Sequence, residues 1–327
     1  MKKVLFIGSL IFCQILFIKS FAQQAPVLKN SKTIALFDAI RSGSSDELNK
    51  AITNGADAND SLTGYSALMV AALSGTADQM SILISHGANV NYQNEDSITA
   101  LWLSVPDLEK LTLLLNHGAD IHHKIEGYGI LVKLCMIPGT LHVFQFLVER
   151  GADPLHSSPD NLLLYNAAAT GDTTLLGFLL RLGLKVNDTT NFGEVPINAA
   201  LAFRTPATLK MLVDHGADVN YQNLHELSLP AVKGFTPLMN AAIANDRESF
   251  LFLLDHGADP NMRSKNEVTA LILLQQSDSD DPEMTEALIK HGARVGDKQP
   301  DGSDALYFAK QKGNTPTVAL LQKYLQK

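Results

Sequence analysis

One short phrase, His-Gly-Ala-Asp, recurs along this chain at a nearly constant interval and limits the possible folds more than any other feature. It is best preserved as HGADVN at 215–220. Successive copies of its glycine are 32, 31, 33, 32, 33, 41 and 35 residues apart. These glycines are Gly55, Gly87, Gly118, Gly151, Gly183, Gly216, Gly257 and Gly292. A fixed period of about 33 residues is typical of proteins built from stacked repeats, in which each unit buries its apolar surface against its neighbours.

A second phrase keeps step with the first. It is a tetrad similar to Thr-Pro-Leu, and small residues such as Ala71-Ala72 and Ala241-Ala242 follow it. A leading Thr or Ser can cap a helix, and Pro in the first helical turn costs no hydrogen bond. The clearest tetrads lie at 66–69, 99–102, 236–239 and 269–272. Each unit is therefore predicted to contain a short capped helix, a second helix, a closing glycine and an Asn/Asp-rich turn.

These two phrases at one period resemble the ankyrin repeat. The resemblance implies an all-α solenoid of about nine helix–turn–helix units with short hairpin fingers. It also implies binding of a partner protein through a concave face formed by the fingers and the first helices. The predicted units are 33–60, 61–93, 94–124, 125–157, 158–190, 191–223, 224–264, 265–298 and 299–327, which together form one repeat domain over 33–327.

The fourth and fifth units match the pattern least well. The fourth has Gly129-Ile130-Leu131 in place of the tetrad, and Pro138-Gly139 is expected to shorten its first helix. The fifth has four apolar or aromatic residues at 162–165, and its closing phrase at 183–187 lacks Ala-Asp. This departure is compatible with a kink, a specialised surface or drift of the sequence.

Residues 1–22 are predicted to be a secretory signal peptide. Lys2 and Lys3 precede an apolar run over 4–18, and Ser20 and Ala22 supply the small residues expected before a cleavage site. An uncleaved anchor is the alternative, but the run is shorter than the roughly 20 residues that span a bilayer. We expect an exported bacterial protein, periplasmic in a Gram-negative-like cell or secreted, with a flexible lead-in over 23–32.

Composition and charge narrow the class of partner. Hydrophobic residues make up 46% of the chain and charged residues 18%, which is typical of a soluble folded body. The formal charge is −8, and loss of the three lysines before the cleavage site takes it to −11. An acidic chain without a Lys/Arg-rich run argues against nucleic acid, which needs a basic surface. We expect a monomer without a membrane span after cleavage.

Neither the cysteines nor the histidines indicate a chemical site. Cys13 leaves with the signal peptide, so Cys135 has no intrachain partner and is predicted to be a buried spacer. Histidine recurs before five of the repeat glycines, and the resemblance implies local hydrogen bonding between units for it. His122-His123 near His117 offers a weak alternative as a metal site, but no structural zinc spacing is present. We predict no metal and no cofactor.

The 41-residue interval between Gly216 and Gly257 is the most informative irregularity. It inserts about eight residues into the turn that is expected to form a finger. Insertions in repeat proteins map to loops on one face, often the binding face. The finger at 224–235 is therefore predicted to contact a partner through Leu224, His225, Glu226, Leu227 and Phe235. The alternative is a longer loop that folds back over its own neighbours.

The resemblance supplies a second set of candidates on the expected concave face. Aromatic side chains are favoured anchors of protein interfaces. The candidates are Leu62, Tyr65, Trp102, Tyr128, Phe192 and Phe203. The alternative is that some of these side chains fill gaps between units.

No catalytic motif is present: the chain lacks a glycine-rich phosphate loop, a His-Glu-x-x-His segment and a nucleophile elbow. Its many aspartates lie in turn positions, where bonding to the local backbone explains them. We therefore predict a protein–protein interaction module rather than an enzyme, acting on an unknown partner as an inhibitor or protector. The alternatives are a self-assembling scaffold and an enzyme with a dispersed acidic site.

Overall fold

The computed structural model describes residues 30–225, 232–277 and 281–326, so the expected signal peptide lies outside it. Within these residues the chain forms 18 helices and one hairpin, and the helices follow one another in nine pairs. The helices are α1 Ser31–Ser42, α2 Ser45–Thr53, α3 Ala67–Ser74, α4 Ala77–Ser85, α5 Ala100–Leu103, α6 Leu108–Asn116, α7 Ile130–Leu134, α8 Leu141–Glu149, α9 Leu162–Thr170, α10 Thr173–Arg181, α11 Pro196–Ala202, α12 Pro206–Asp214, α13 Pro237–Ile243, α14 Arg247–Asp255, α15 Ala270–Gln276, α16 Pro282–Lys290, α17 Ala305–Gln311 and α18 Thr315–Leu325. The hairpin pairs β1 Ser61–Leu62 with β2 Tyr65–Ser66. The predicted all-α repeat solenoid is confirmed.

The tetrads begin their helices in the way that the sequence predicts. The hydroxyl of Ser66 accepts a hydrogen bond from the backbone N–H of Met69 at 3.2 Å, and Thr236 accepts one from Met239 at the same distance. Such caps satisfy an N–H group that has no partner inside the helix. The alanine pairs behind them are buried, which allows the first helices of neighbouring repeats to pack closely.

Asparagine side chains join several of the closing turns to the next turn. The residue four positions after the repeat glycine is the donor: the amide nitrogen of Asn220 donates to the Gly257 carbonyl at 3.1 Å, and its oxygen accepts from the Asp259 N–H at 2.8 Å. Asn59, Asn91, Asn187 and Asn261 donate in the same way. We call this series the asparagine ladder. It supplies hydrogen bonds between repeats that burial of apolar side chains alone would not provide.

The ladder is interrupted in the part of the chain where the consensus is weakest. His122 and Leu155 stand in place of the asparagine, and neither donates a hydrogen bond to a later turn in the described residues. The first helix of the fourth pair, α7, has only five residues and no side-chain cap. The predicted shortening of this helix is confirmed, and Pro138 and Gly139 follow it in the loop.

The chain divides into two compact units. The first contains the described residues up to Leu103 together with Thr112–Gly118, and the second contains Ser104–Leu111 together with the residues from Ala119 onward. The division therefore runs through α6. The repeat period gives no sign of it, since the glycines before and after α6 keep their usual spacing.

Both ends of the described chain carry polar surfaces. On α1, Arg41 and Asp38 are exposed and form an ion pair at 3.4 Å, and on α18 Gln322 and Lys323 are exposed. These features are typical of capping repeats. The predicted lead-in over 23–32 extends too far, because Asn30 caps a helix that already begins at Ser31.

Candidate interaction surface

Two of the predicted contact residues lie in the core. Trp102 is 7% exposed and Phe235 is 5% exposed. Trp102 belongs to α5, all four of whose side chains are buried. Phe235 directly precedes the helix-capping Thr236 and packs inside the repeat. The prediction that these two rings contact a partner is wrong for this conformation, because both are buried. They fill space between helices, which was the alternative for the aromatic candidates.

Four further candidates are half-buried: Leu62, Tyr65, Tyr128 and Phe192. Leu62 lies opposite Tyr65 in the β1–β2 hairpin, and the tip between them has positive φ at Thr63 (51°) and Gly64 (84°). Tyr128 takes an equivalent position, pairing with Ile125 across a tip that also has positive φ. The hairpin fingers that the resemblance implies are therefore present, and each presents part of an aromatic ring.

The remaining described candidates are exposed. Phe203, just after α11, is 61% exposed, Leu224 is 58% exposed, and His225 is exposed beside it. Glu226 and Leu227 lie outside the described residues. Sequence reasoning missed Leu155, which is 59% exposed although it stands in an asparagine position. The leucine in place of the repeated asparagine is visible in the sequence, and this exchange is the signal that could have identified Leu155.

The base of the long finger is held from both sides. The side-chain amide of Gln222 donates to the carbonyls of Gly234 and Arg263, each at 2.8 Å. The amide of Asn223 donates to the Phe192 carbonyl at 3.1 Å. Its own backbone carbonyl accepts from the Gly234 N–H at 2.9 Å. These bonds join the finger to the preceding turn and to the following one.

Gly193 permits the closest approach at this base. Its φ is 72°, a left-handed value that favours glycine. A Cβ atom placed there would lie 2.6 Å from both Asn223 Oδ1 and His225 Cβ. The hydroxyl of Tyr221 donates to the Gly193 carbonyl at 2.6 Å. Residues 223 and 225 thus pack directly against Gly193 in the preceding turn, and a larger residue at 193 would block this contact.

A cleft of about 480 Å³ lies in the second compact unit, beside the interruption of the asparagine ladder. Its lining includes Leu155, Leu184 and the carboxylates of Asp160 and Asp188. The side-chain amide of Asn161, which also lines the cleft, donates to the backbone carbonyls of Lys185 at 3.3 Å and Asp188 at 2.8 Å. We infer that the substitution of Leu155 for asparagine removes the usual tie between these turns and leaves an apolar side chain at the cleft.

The repeated histidine bonds to its own helix rather than to another repeat. Nδ1 of His215 donates to the Met211 carbonyl at 2.7 Å, four residues earlier. His86, His117, His256 and His291 do the same. The predicted hydrogen bond between repeats is therefore wrong for Nδ1 of this histidine. The histidine stands at the end of a helix, so Nδ1 reaches one of the backbone carbonyls that have no partner inside the helix. His291 also places Nε2 3.4 Å from a carboxylate oxygen of Asp255 in the preceding repeat.

Two titratable side chains of the described core, Cys135 and Lys133, have shifted pKa values. Cys135 is buried, as predicted, and burial with the nearby charge of Asp172 raises the pKa of its thiol. Lys133, on the same short helix, is buried, and burial lowers the pKa of its ammonium group from 10.5 to about 7. In the described ranges no three His, Cys, Asp or Glu side chains are grouped to hold a metal ion. No helix in those ranges is long and apolar enough to cross a bilayer.

The nine helix pairs, their closing glycines and the asparagine ladder define a stacked-repeat protein. Two segments, 36–125 and 164–264, match the family model for ankyrin repeats (3 copies). They cover more than half of the chain, which therefore belongs to the ankyrin-repeat family. Members of this family are generally protein–protein interaction modules and are typically non-enzymatic binding scaffolds.

One curated relative has a local match. A segment of 57 residues is 44% identical to the putative ankyrin repeat protein R664 of Acanthamoeba polyphaga mimivirus. The matched segment covers 16% of this chain and 35% of that protein. The chain thus spans about a third of the length of this relative, and the likeness concerns the repeat rather than a particular partner.

Proposed function

We propose that this chain is an exported binding module that recognises one partner protein through the finger at 224–235 and the neighbouring hairpin fingers. The family supports protein binding in general. The finger is the element that distinguishes this chain from a regular repeat stack, because it interrupts an otherwise constant period.

The observation that carries the proposal is the contrast between the base of the finger and its exposed side chains. Gln222 and Asn223 fix the base to the turns on both sides. Leu224, immediately after them, is 58% exposed. A binding loop held in place before contact loses less conformational entropy on association, which favours affinity.

The proposed location is the bacterial envelope or the exterior, on the strength of the lysine-led apolar run over 1–22. A module of this kind holds its partner by equilibrium recognition and needs no chemistry of its own. We propose that it inhibits or protects that partner, since it carries no catalytic motif with which to transform it.

A crosslinked capture from the native envelope fraction tests the proposal. Mature protein 23–327 is compared with a variant lacking 224–231, after circular dichroism has shown that both are folded. We expect one protein to be captured by the first and lost with the second. Equal capture by both would move the contact to the hairpin fingers around Tyr65 and Tyr128. No capture by either folded protein would contradict the proposed function.

A further inference from the structure

A single carboxylate at the base of the finger is held in a fixed position by two amides. Glu194 is half-buried; its Oε2 accepts from Asn198 Nδ2 at 3.1 Å and its Oε1 accepts from Asn223 Nδ2 at 2.7 Å. A carboxylate has about four acceptor positions. Each oxygen therefore keeps capacity for a second donor, while the two amides set the direction of the group.

No cation neutralises this carboxylate within the part of the chain that the structure describes. The Lys, Arg and His side chains of those residues that form ion pairs do so with other carboxylates. The chain as a whole is acidic, with a formal charge of −8. A carboxylate forms strong, charge-assisted hydrogen bonds with a cationic donor that reaches it.

The charge of the same carboxylate acts on two tyrosines. Tyr165 and Tyr221 are half-buried, and burial together with the charge of Glu194 raises the pKa of both phenols, that of Tyr165 to about 12. The position of Tyr221 is fixed, because its hydroxyl donates to the Gly193 carbonyl at 2.6 Å. Aromatic faces attract guanidinium and ammonium groups.

Asn198, which holds one oxygen of Glu194, also has an unsatisfied acceptor of its own. Its side chain is 7% exposed, and its Oδ1 is buried with no hydrogen-bond partner. An acceptor buried without a donor costs free energy, and native proteins contain few of them. Its Nδ2 is bonded to Glu194, so the unused oxygen belongs to the same polar cluster.

We propose that Glu194, Tyr165 and Tyr221 form a subsite for an arginine side chain of the partner protein. The planar guanidinium group carries five donors, matches a carboxylate in a bidentate arrangement and stacks on aromatic rings. This proposal rests on the proposed function, because it names the chemistry that the base of the finger selects in that partner. The subsite lies beside Asn223, so one partner segment can contact both the subsite and the finger.

The test uses N-acetyl-arginine amide as the probe, with the uncharged isostere N-acetyl-citrulline amide as the control ligand. Mature protein 23–327 carrying ¹³C-labelled tyrosine is titrated by NMR, with the Tyr165 and Tyr221 signals assigned from Tyr→Phe variants. We expect saturable shifts of both signals with the arginine probe and none with the citrulline probe. Glu194→Gln should abolish the shifts, whereas Glu149→Gln, at an exposed glutamate that ends α8, should leave them unchanged.

Glu194→Asp keeps the net charge and provides the test of the subsite if Glu194→Gln alters the fold. Shortening the side chain withdraws the carboxylate from both amides, and we expect the probe to bind at least threefold more weakly. Absence of saturable shifts in the unmodified protein, equal binding of the citrulline probe, or unchanged binding by both Glu194 variants would overturn the proposal. If the subsite fails this test while capture still depends on 224–231, the proposed function stands without it.

Discussion

The asparagine four residues after the repeat glycine has two partners in the next repeat. At Asn220 the side chain donates to one backbone group and accepts from another. A hydrogen bond of this kind contributes about 1 kcal/mol to stability. Because several asparagines repeat the arrangement, individually modest bonds hold the turns in register.

We expect Asn220→Ala to lower the free energy of unfolding by about 1–2 kcal/mol, because both bonds are lost at once. His122→Ala is the matched control: it changes the same turn position, where the side chain makes no bond to the next repeat among the described residues. Urea denaturation followed by circular dichroism measures both variants. An equal loss of stability in the two would contradict the ladder as a source of stability.

Lys133 is a buried residue whose protonation affects stability. Burial holds the pKa of its ammonium group at about 7 in the folded chain, against 10.5 in the unfolded chain. Between these values the unfolded chain binds more protons, so the free energy of unfolding rises with pH through this window. The buried lysine therefore destabilises the fold most below pH 7 and not at all above pH 10.5.

We expect Lys133→Met to raise the melting temperature, and the gain to be larger at pH 7 than at pH 10. Lys50→Met, at an exposed lysine on α2, should show no such dependence on pH. Differential scanning calorimetry at the two pH values measures both variants. A gain for Lys133→Met that is the same at both pH values would show that its ammonium group is not desolvated in the folded state.

At the scale of elements, the long finger depends on its contact with the turn before it. Gly193 allows that contact, because any side chain there meets Asn223 and His225. The positive φ of 72° adds a backbone cost for any other residue. The base of the finger thus depends on a glycine that belongs to the preceding repeat.

We expect Gly193→Ala to lower the free energy of unfolding by about 2–4 kcal/mol, from backbone strain and overpacking together. Gly302→Ala isolates the first contribution, since Gly302 has φ of 88° but nothing within 4 Å of a Cβ atom. It should cost about 1–2 kcal/mol. Denaturation with urea compares them, and equal losses would show that the close approach at Gly193 is unimportant.

The repeated elements are predictable from the sequence because each is specified locally. A capping Thr or Ser, paired alanines and a closing glycine decide where each helix begins and ends. The site was less predictable, since exposure depends on neighbouring repeats. Trp102 and Phe235 occupy positions that face a partner in the expected arrangement, yet packing buries them. Glu194 was missed altogether, because Asn223, which fixes its other oxygen, lies 29 residues further along the chain.

At the scale of the whole molecule, the proposed recognition depends on the places where the repeats are irregular. The described chain departs from regularity in two places: the interrupted ladder around Leu155 and the extended turn before Phe235. Both lie in the second compact unit. The extended turn is the better candidate for recognition, because its base is fixed on both sides and its Asn223 bonds to the carboxylate of Glu194 in the preceding turn.

The most direct test of this account is the dissociation constant of the captured partner for Leu224→Ser, measured by biolayer interferometry against unmodified protein 23–327. We expect a loss of at least tenfold, or about 1.4 kcal/mol, as for a central interface residue. Leu155→Ser is the matched control, because Leu155 is 59% exposed against 58% for Leu224, and its affinity should be unchanged. Unchanged affinity for Leu224→Ser, or an equal loss for both variants, would contradict recognition through the finger.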